Sequence, residues 1–504
     1  MTPSKYQQAI YDFVQNGTGH AVVQARAGSG KTSTIVGICN LLPASAKVLV
    51  VAFNKHIATE LAGRVPSHVE ARTLHSIGFG ICKKVGARID TEKQDKALRS
   101  EFGRIVGADT TGKLDSETYL RYVRVASPAG KLVSLAKLSG YGSILPAATE
   151  ADLLALADRH NAEFPPNGDG ALVVPLALSV LNATLDDSGS ADFDDMIVLP
   201  VKYGAPFPQY DYVLVDESQD LNRVQAAFVR NLLKPTTGRA IFLADPAQAI
   251  YAFAGADSES VQNIIESFAA TLLPLSICYR CPRAVIREAQ KIVPDIEAAD
   301  GAEEGIVRAV DGDEFDGSAQ DGDWVLCRTT APLVSNALKF LREGRKATVH
   351  GRDIGANLTK LAERIAHLHP SESFTSSVAA WDAVEQERLT KRRANAQAVA
   401  NHEDRVATLV TLSTGGDTLD SFKAAVKSLF SDDVKGVTFA TIHRSKGLEV
   451  DRVFILRPDL LPHPAAEQEW QIVQESNLRY VAITRAKREL VYVRPPKKEK
   501  TAAC

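Results

Sequence analysis

Apolar residues in the first quarter of the chain fall in short continuous runs separated by helix-like stretches. His20-Ala21-Val22-Val23-Gln24 reads as a buried strand, followed by a glycine turn and a helix from about Lys31 to Leu42. Lys47 to Phe53 is a second such run, with a helix near Ile57 to Val65 after it. Runs that are apolar throughout predict strands buried on both faces, as in a parallel sheet covered by helices. From about 86 to 184 the pattern turns charged and helical, with interruptions expected at Pro128, Pro146 and Pro165-Pro166. Strands resume at Tyr210–Val215 and Arg239–Ala244, each leading into acidic residues. A second α/β block is expected from about 258, with strands at Asp323–Cys327, Val437–Thr441 and Arg452–Leu456. Between them, about 351 to 434, lies another mostly helical stretch. Its segment Trp381 to Leu412 mixes Ala, Glu, Arg and Gln, which predicts a solvated helix. No repeat of fixed period is present.

Composition narrows the class. The 504 residues are 45% hydrophobic and 24% charged, as in ordinary globular chains, which excludes a disordered tail protein or a fibre. Basic and acidic residues nearly cancel (58 against 61), so coating nucleic acid by bulk charge is excluded, while a local basic groove is not. Among six cysteines, Cys278 and Cys281 form one CxxC, with no second pair at zinc-ligand spacing, so reduced, incidental thiols are expected. The longest apolar run, Ala171 to Leu181, is broken by Pro175 and falls short of the ~20 residues of a membrane span. The opening MTPSKYQQAIYDF lacks the order of a signal peptide, so a cytoplasmic location without membrane association is expected.

Candidate chemistry begins at Gln24-Ala25-Arg26-Ala27-Gly28-Ser29-Gly30-Lys31-Thr32, between a predicted strand and a predicted helix. Glycines there let backbone N–H groups close around phosphates, and the helix start adds a favourable dipole. Lys31 would neutralise phosphate charge and Thr32 would offer a hydroxyl to Mg²⁺. The first glycine of the usual phosphate-loop pattern is Ala25 here. Val213-Leu214-Val215-Asp216-Glu217-Ser218-Gln219-Asp220 supplies an acidic pair after a buried strand. Asp216 would hold Mg²⁺ and Glu217 would activate water as general base.

These segments resemble, in order, the motifs of the UvrD/Rep-like helicases of superfamily 1A. AxAGSGKT with Ala25 is that family's form of the loop. Ala52-Phe53-Asn54-Lys55, Thr73-Leu74-His75-Ser76 and DESQD resemble its next three segments, and Ala244 to Ala256 resembles GDxxQSIYxWRGA. Further on, Tyr279-Arg280, Thr441-Ile442-His443-Arg444-Ser445-Lys446-Gly447-Leu448-Glu449 and Tyr480 to Ala486 resemble NYRS, TxHxxKGLE and YVAxTRA. Two departures stand out: Phe253 and Ala254 replace the tryptophan and arginine of WRGA.

The resemblance implies an α/β fold of two RecA-like P-loop NTPase domains with parallel sheets, each carrying a mostly helical insertion. The expected first, ATP-binding domain is 1–85 and 185–257, with 86–184 inserted. The second, carrying the arginine fingers, is 258–350 and 435–495, with 351–434 inserted, and 496–504 is a disordered tail. ATP with Mg²⁺ is the implied cofactor, held by Gln7 at the adenine (Gln8 competes for that place), by Ala27, Gly28, Ser29, Gly30, Lys31, Thr32 and Thr34, and by Tyr279, Gly447 and Glu449. Thr32 and Asp216 would hold the metal. Lys31, Asp216, Glu217, Gln248, Arg280 and Arg485 are the implied catalytic residues. Phe53, Asn54, Thr73, His75, Tyr251, Phe253, Thr441 and His443 would face DNA. The implied activity is 3′→5′ movement on single-stranded DNA with duplex unwinding, by a monomer acting at single-strand–duplex junctions beside replication or repair proteins. Three other readings are a translocase that strips proteins from DNA, a nucleotide-gated DNA-binding module with negligible turnover, and a motor whose track is RNA.

Overall fold

A computed structural model describes residues 2–112, 114–160, 162, 164–165, 168–250, 260–391, 394, 396–430 and 436–494. Its strands in chain order are β1 (Ala21–Ala25), β2 (Val48–Val51), β3 (Val69–Arg72), β4 (Arg88–Ile89), β5 (Ser190–Ala191), β6 (Tyr212–Val215), β7 (Arg239–Ala244) and β8 (Thr271–Leu275). After them come β9 (Ile277–Cys278), β10 (Glu297–Ala298), β11 (Ile306–Val310), β12 (Trp324–Cys327), β13 (Ala347–Val349), β14 (Val437–Thr441), β15 (Val450–Leu456) and β16 (Ala486–Val493). The chain divides into two units, one of 1–25 and 30–276, the other of 26–29 and 277–504.

The first unit holds a six-stranded sheet in the order β3-β2-β6-β7-β1-β8. Every pairing in it is parallel. Strands β2, β6 and β7 are almost wholly buried, which accounts for their unbroken apolar sequences. The second unit holds a second six-stranded sheet, β11-β16-β15-β12-β14-β13, again parallel throughout. The α/β class with two parallel-sheet domains is therefore the observed fold.

Several expectations need correction. The first unit runs to Ser276 rather than 257, because helix Ser260–Phe268 packs Ile264 and Phe268 into its core and β8 pairs β1 in its sheet. Pro128 does not interrupt a helix: it lies inside Ser116–Ser139. Proline removes one backbone donor there, and burial of Val125, Ala129, Leu132, Val133 and Ala136 on the inner face holds the helix together. Pro175 likewise sits within helix Gly170–Asp186. The predicted solvated helix of 381–412 is two helices, Phe374–Lys391 and Ala396–Leu412, whose Trp381, Leu389, Leu409 and Leu412 are buried. Packing of those four decides the environment, while the charged positions occupy the remaining faces. The expected tail falls outside the described residues. No helix among the described residues is long and apolar enough to cross a membrane.

Candidate nucleotide and DNA sites

In the first unit, β6, β7 and β1 are neighbours, and each delivers chemistry at its C-terminal end: Asp216 after β6, Asp245 after β7, Lys31 beyond β1. Ligands of open parallel sheets bind at that edge. Gly30 is left-handed (φ +82°) and caps helix Lys31–Leu41, as a turn that tight requires. Lys31 therefore opens the helix, and its Nζ lies 2.7 Å from Glu217 Oε1. Burial opposes the ammonium charge, but Glu217, Asp216 and Asp245 more than offset it, so its pKa is raised.

Asp216 shows the converse. Burial, with the charge of Glu217 added, pushes its carboxyl up to about 6 against the pull of Lys31. Glu217 itself takes a left-handed backbone (φ +50°), uncommon for a residue with a Cβ and of the kind that clusters at functional sites. From Glu217 a chain of hydrogen bonds runs through two side chains. Gln219 Nε2 donates to Glu217 Oε2 at 2.6 Å, Asp245 N–H donates to Gln219 Oε1 at 3.0 Å, and Gln248 Nε2 donates to Asp245 Oδ2 at 2.6 Å. Lys31, Asp216, Glu217 and Gln248 are thus brought together. Gln219 and Asp245, which link them, received no role from sequence although both stand inside quoted motifs.

Gln7 is held at both ends of its amide. Its Oε1 accepts Ser4 N–H at 3.0 Å in a capping box, and its Nε2 donates to Thr34 Oγ1 at 3.2 Å. Thr34 Oγ1 in turn donates to Gly30 O at 3.0 Å, so Gln7, Thr34 and Gly30 form one assembly. Gln8 instead faces Asp12 at the surface.

Residues 26–29 group with the second unit. There Ala27 N–H donates to Tyr480 Oη at 2.9 Å, and Tyr279 N–H donates to Gly28 O at 2.9 Å. Gly28 is left-handed (φ +66°), and a Cβ on it would stand 2.6 Å from Arg280 Cβ. The buried Ser29 hydroxyl has no hydrogen-bond partner among the described residues, as a group awaiting a phosphate oxygen would. Tyr279 leaves half its surface exposed, open for stacking. Arg280 pairs with Glu449 and donates to Thr484 O at 3.3 Å, so two expected nucleotide contacts are in this structure each other's partners. Gly447 is left-handed (φ +84°), beside them in sequence. Arg485 is buried, donating to Val481 O and Leu448 O at 3.0 Å each and to Thr484 Oγ1 at 3.3 Å, at the end of helix Glu469–Ile483. Cys278 and Cys281 are buried free thiols, with Cys281 N–H donating to Cys278 Sγ at 3.4 Å.

Among the DNA-facing expectations, Phe53 is 57% exposed, so it is not a core residue. Asn54 and Thr73 are helix N-caps: Asn54 Oδ1 accepts Ile57 N–H at 2.9 Å and Thr73 Oγ1 accepts Ser76 N–H at 3.2 Å. His75 stacks on Phe193, with centroids 3.9 Å apart and planes 14° from parallel. Phe193 is 60% exposed, and sequence offered no signal for it beyond an aromatic set in the acidic turn Asp192–Asp195. Thr441 ends β14, and His443 lies in the short helical turn Ile442–Ser445. Burial, with Arg328 and Arg444 adding to it, pushes the His443 pKa down to about 3. Tyr251, Phe253 and Ala254 lie outside the described residues.

A glycine loop leading from β1 into a lysine-headed helix, with an acidic pair after β6, one strand removed in the same parallel sheet, defines the P-loop NTPase class. The family model "UvrD/REP helicase N-terminal domain" matches residues 6–269, just over half the chain, and "UvrD-like helicase C-terminal domain" matches 385–494. The chain belongs to the UvrD/Rep helicase family. It is 22% identical to DNA helicase II of Haemophilus influenzae over 309 residues, covering 55% of this chain and 38% of that protein. With DNA helicase IV of Escherichia coli it shares 26% identity over 297 residues, 51% of this chain and 42% of the other. With F-box DNA helicase protein 1 of Schizosaccharomyces pombe the identity is 22% over 503 residues, 93% of this chain and 55% of the other. The chain thus spans between 38% and 55% of the length of these relatives.

Proposed function

We propose that the chain is an ATP-driven DNA helicase that moves 3′→5′ on single-stranded DNA and opens duplex at junctions. The observation that carries the reading is the Lys31–Glu217 pair beside buried Asp216, joined through Gln219 and Asp245 to Gln248. In this reading Lys31 shifts from Glu217 to the phosphates when ATP enters, which frees Glu217 to accept a proton from the attacking water. Gln248 orients that water, with Asp245 fixing its amide. Arg280 and Arg485 supply positive charge to the γ-phosphate after exchanging their present partners. Tyr279 stacks on the base, Glu449 and Gly447 meet the ribose side, and Gln7 reads the adenine once its cap opens.

The residues present suit Mg²⁺. A carboxylate pushed toward protonation by burial, and further by a second acid, is relieved by a divalent cation, and Thr32 adds the hard oxygen such an ion prefers. Bound there through Thr32 and Asp216, the ion would neutralise phosphate charge. For the track, the exposed rings of Phe53 and of Phe193, the latter backed by His75, offer sequence-tolerant stacking, and we assign backbone contacts to Thr73, Asn54, Thr441 and His443. We propose that it acts as a cytoplasmic monomer beside DNA replication or repair proteins.

The test is steady-state ATP hydrolysis alone, with oligo-dT and with a matched RNA, followed by strand displacement on 3′-tailed and 5′-tailed duplexes. Stimulation by DNA and opening of the 3′-tailed substrate are expected. A rate indifferent to either strand removes the DNA role, and preference for the 5′ tail reverses the direction. Stimulation without strand opening assigns a translocase.

A further inference from the structure

The first unit contains a second lysine–carboxylate cluster, remote in sequence from every nucleotide motif. Lys137 is fully buried, with Nζ 2.8 Å from Asp195 Oδ1 and 3.1 Å from Asp192 Oδ2. Lys93 Nζ lies 2.7 Å from Asp195 Oδ2 and donates at 2.8 Å to each of three carbonyls, Thr184, Asp187 and Ser190. Two buried cations and two buried anions therefore gather the chain between 184 and 195. Asp195 N–H donates to Asp192 Oδ1 at 2.9 Å, which closes the turn. Between these buried aspartates stands Phe193, pointing outward.

The opposing element is equally constrained. Helix Leu74–Lys84 carries His75, and helix Asp195–Lys202 follows Phe193. A Cβ on Gly78 would lie 2.0 Å from Met196 O, so the two backbones approach as only glycine allows. That approach brings the His75 and Phe193 rings into parallel contact. A buried ion cluster stabilises a fold little better than well-packed apolar side chains would, but it fixes geometry, because each charge accepts few positions.

We infer that Lys93, Lys137, Asp192 and Asp195 are positioning residues that hold Phe193 against His75 as a preset stacking face for a base of single-stranded DNA. The inference rests on the DNA reading proposed above. It adds to it that the ring's geometry, set from beneath by charges the DNA never meets, determines affinity.

A double-mutant cycle tests it, using the full chain and oligo-dT bearing one 2-aminopurine, read by anisotropy and by quenching of that base. The variants are Phe193→Ala, the charge-balanced pair Lys137→Met with Asp192→Asn, and all three together. Phe193→Ala is expected to weaken binding about tenfold, the charge-balanced pair by roughly threefold to tenfold with reduced quenching, and the triple variant no more than Phe193→Ala alone. Should the pair fail to fold, Asp192→Asn alone, which keeps an oxygen for Asp195 N–H, is expected to move both readouts in the same direction by a smaller factor. Parental affinity and quenching in the network variants, or losses that multiply in the triple variant, overturn the inference. Parental affinity in Phe193→Ala instead removes the DNA role of this face, and the inference falls with it. Intact Phe193 dependence beside a silent network refutes the positioning role alone.

Discussion

Two lysine–carboxylate clusters sit in the same parallel-sheet unit and differ in closure. At the phosphate loop the Lys31 ammonium nitrogen is buried, but its partner Glu217 keeps 23% of its side-chain surface accessible. At the turn below Phe193, Lys137 and Asp195 keep none. An ion pair with one partner open to solvent is exchangeable: a ligand of the right charge replaces that partner at modest cost. One sealed from water is permanent, since separating its charges leaves each unsolvated. The same side-chain chemistry thus serves turnover in one place and rigidity in the other.

The largest effects should fall at the accessible cluster. Lys31→Ala and Glu217→Gln each remove a group that the proposed reaction needs, so phosphate release should drop by roughly 10²–10⁴-fold while the protein stays folded. A fold that collapsed with Lys31→Ala would place this pair with the sealed cluster and erase the contrast. Next comes Lys137→Met alone, which leaves Asp192 and Asp195 short of one buried cation. Unfolding in urea should show a loss of ~3–5 kcal/mol. A loss within ~0.5 kcal/mol would mean that water reaches the cluster after all.

Sequence disclosed the accessible cluster far better than the sealed one, for a physical reason. Phosphate chemistry uses neighbouring residues at fixed spacing, so GSGKT and DESQD are local and readable. Lys93, Lys137, Asp192 and Asp195 meet across two helices and a turn, and in sequence each resembles an ordinary surface charge. The sheets divide the same way. Strands β2, β6 and β7 are buried throughout and announce themselves, whereas β8, Thr-Leu-Leu-Pro-Leu, lies at the sheet edge with a largely exposed face and a proline. Proline is tolerated there because an edge strand has backbone donors without ladder partners. That strand's ambiguity is why the first unit was expected to end too early. Arg485 marks a further limit: its motif names the residue, but only the fold reveals the three carbonyl and hydroxyl oxygens that now occupy it.

A smaller effect separates both clusters from the histidines. Lys31 and Lys137 have raised pKa values, so their contribution to stability is complete below the free-lysine value near 10.5 and is lost only above it. Neither responds between pH 7 and 5. His20, His75, His443 and His463 are all shifted down, chiefly by burial. Below the free value of 6.5 the unfolded chain takes up protons that the native chain refuses, so stability must fall with pH, for His443 all the way toward pH 3. Asp194 and Asp216, shifted up by burial, act with the opposite sign on the same descent and soften it. One proton contributes at most ~1.4 kcal/mol per pH unit, so His443 alone should account for about 2 kcal/mol between pH 7 and 5. Urea unfolding of His443→Gln at both pH values checks this. The variant should lose about 2 kcal/mol less than its parent on acidification. An equal loss would mean that His443 already takes up its proton in the folded chain near pH 6, with Arg328 and Arg444 too well screened to prevent it.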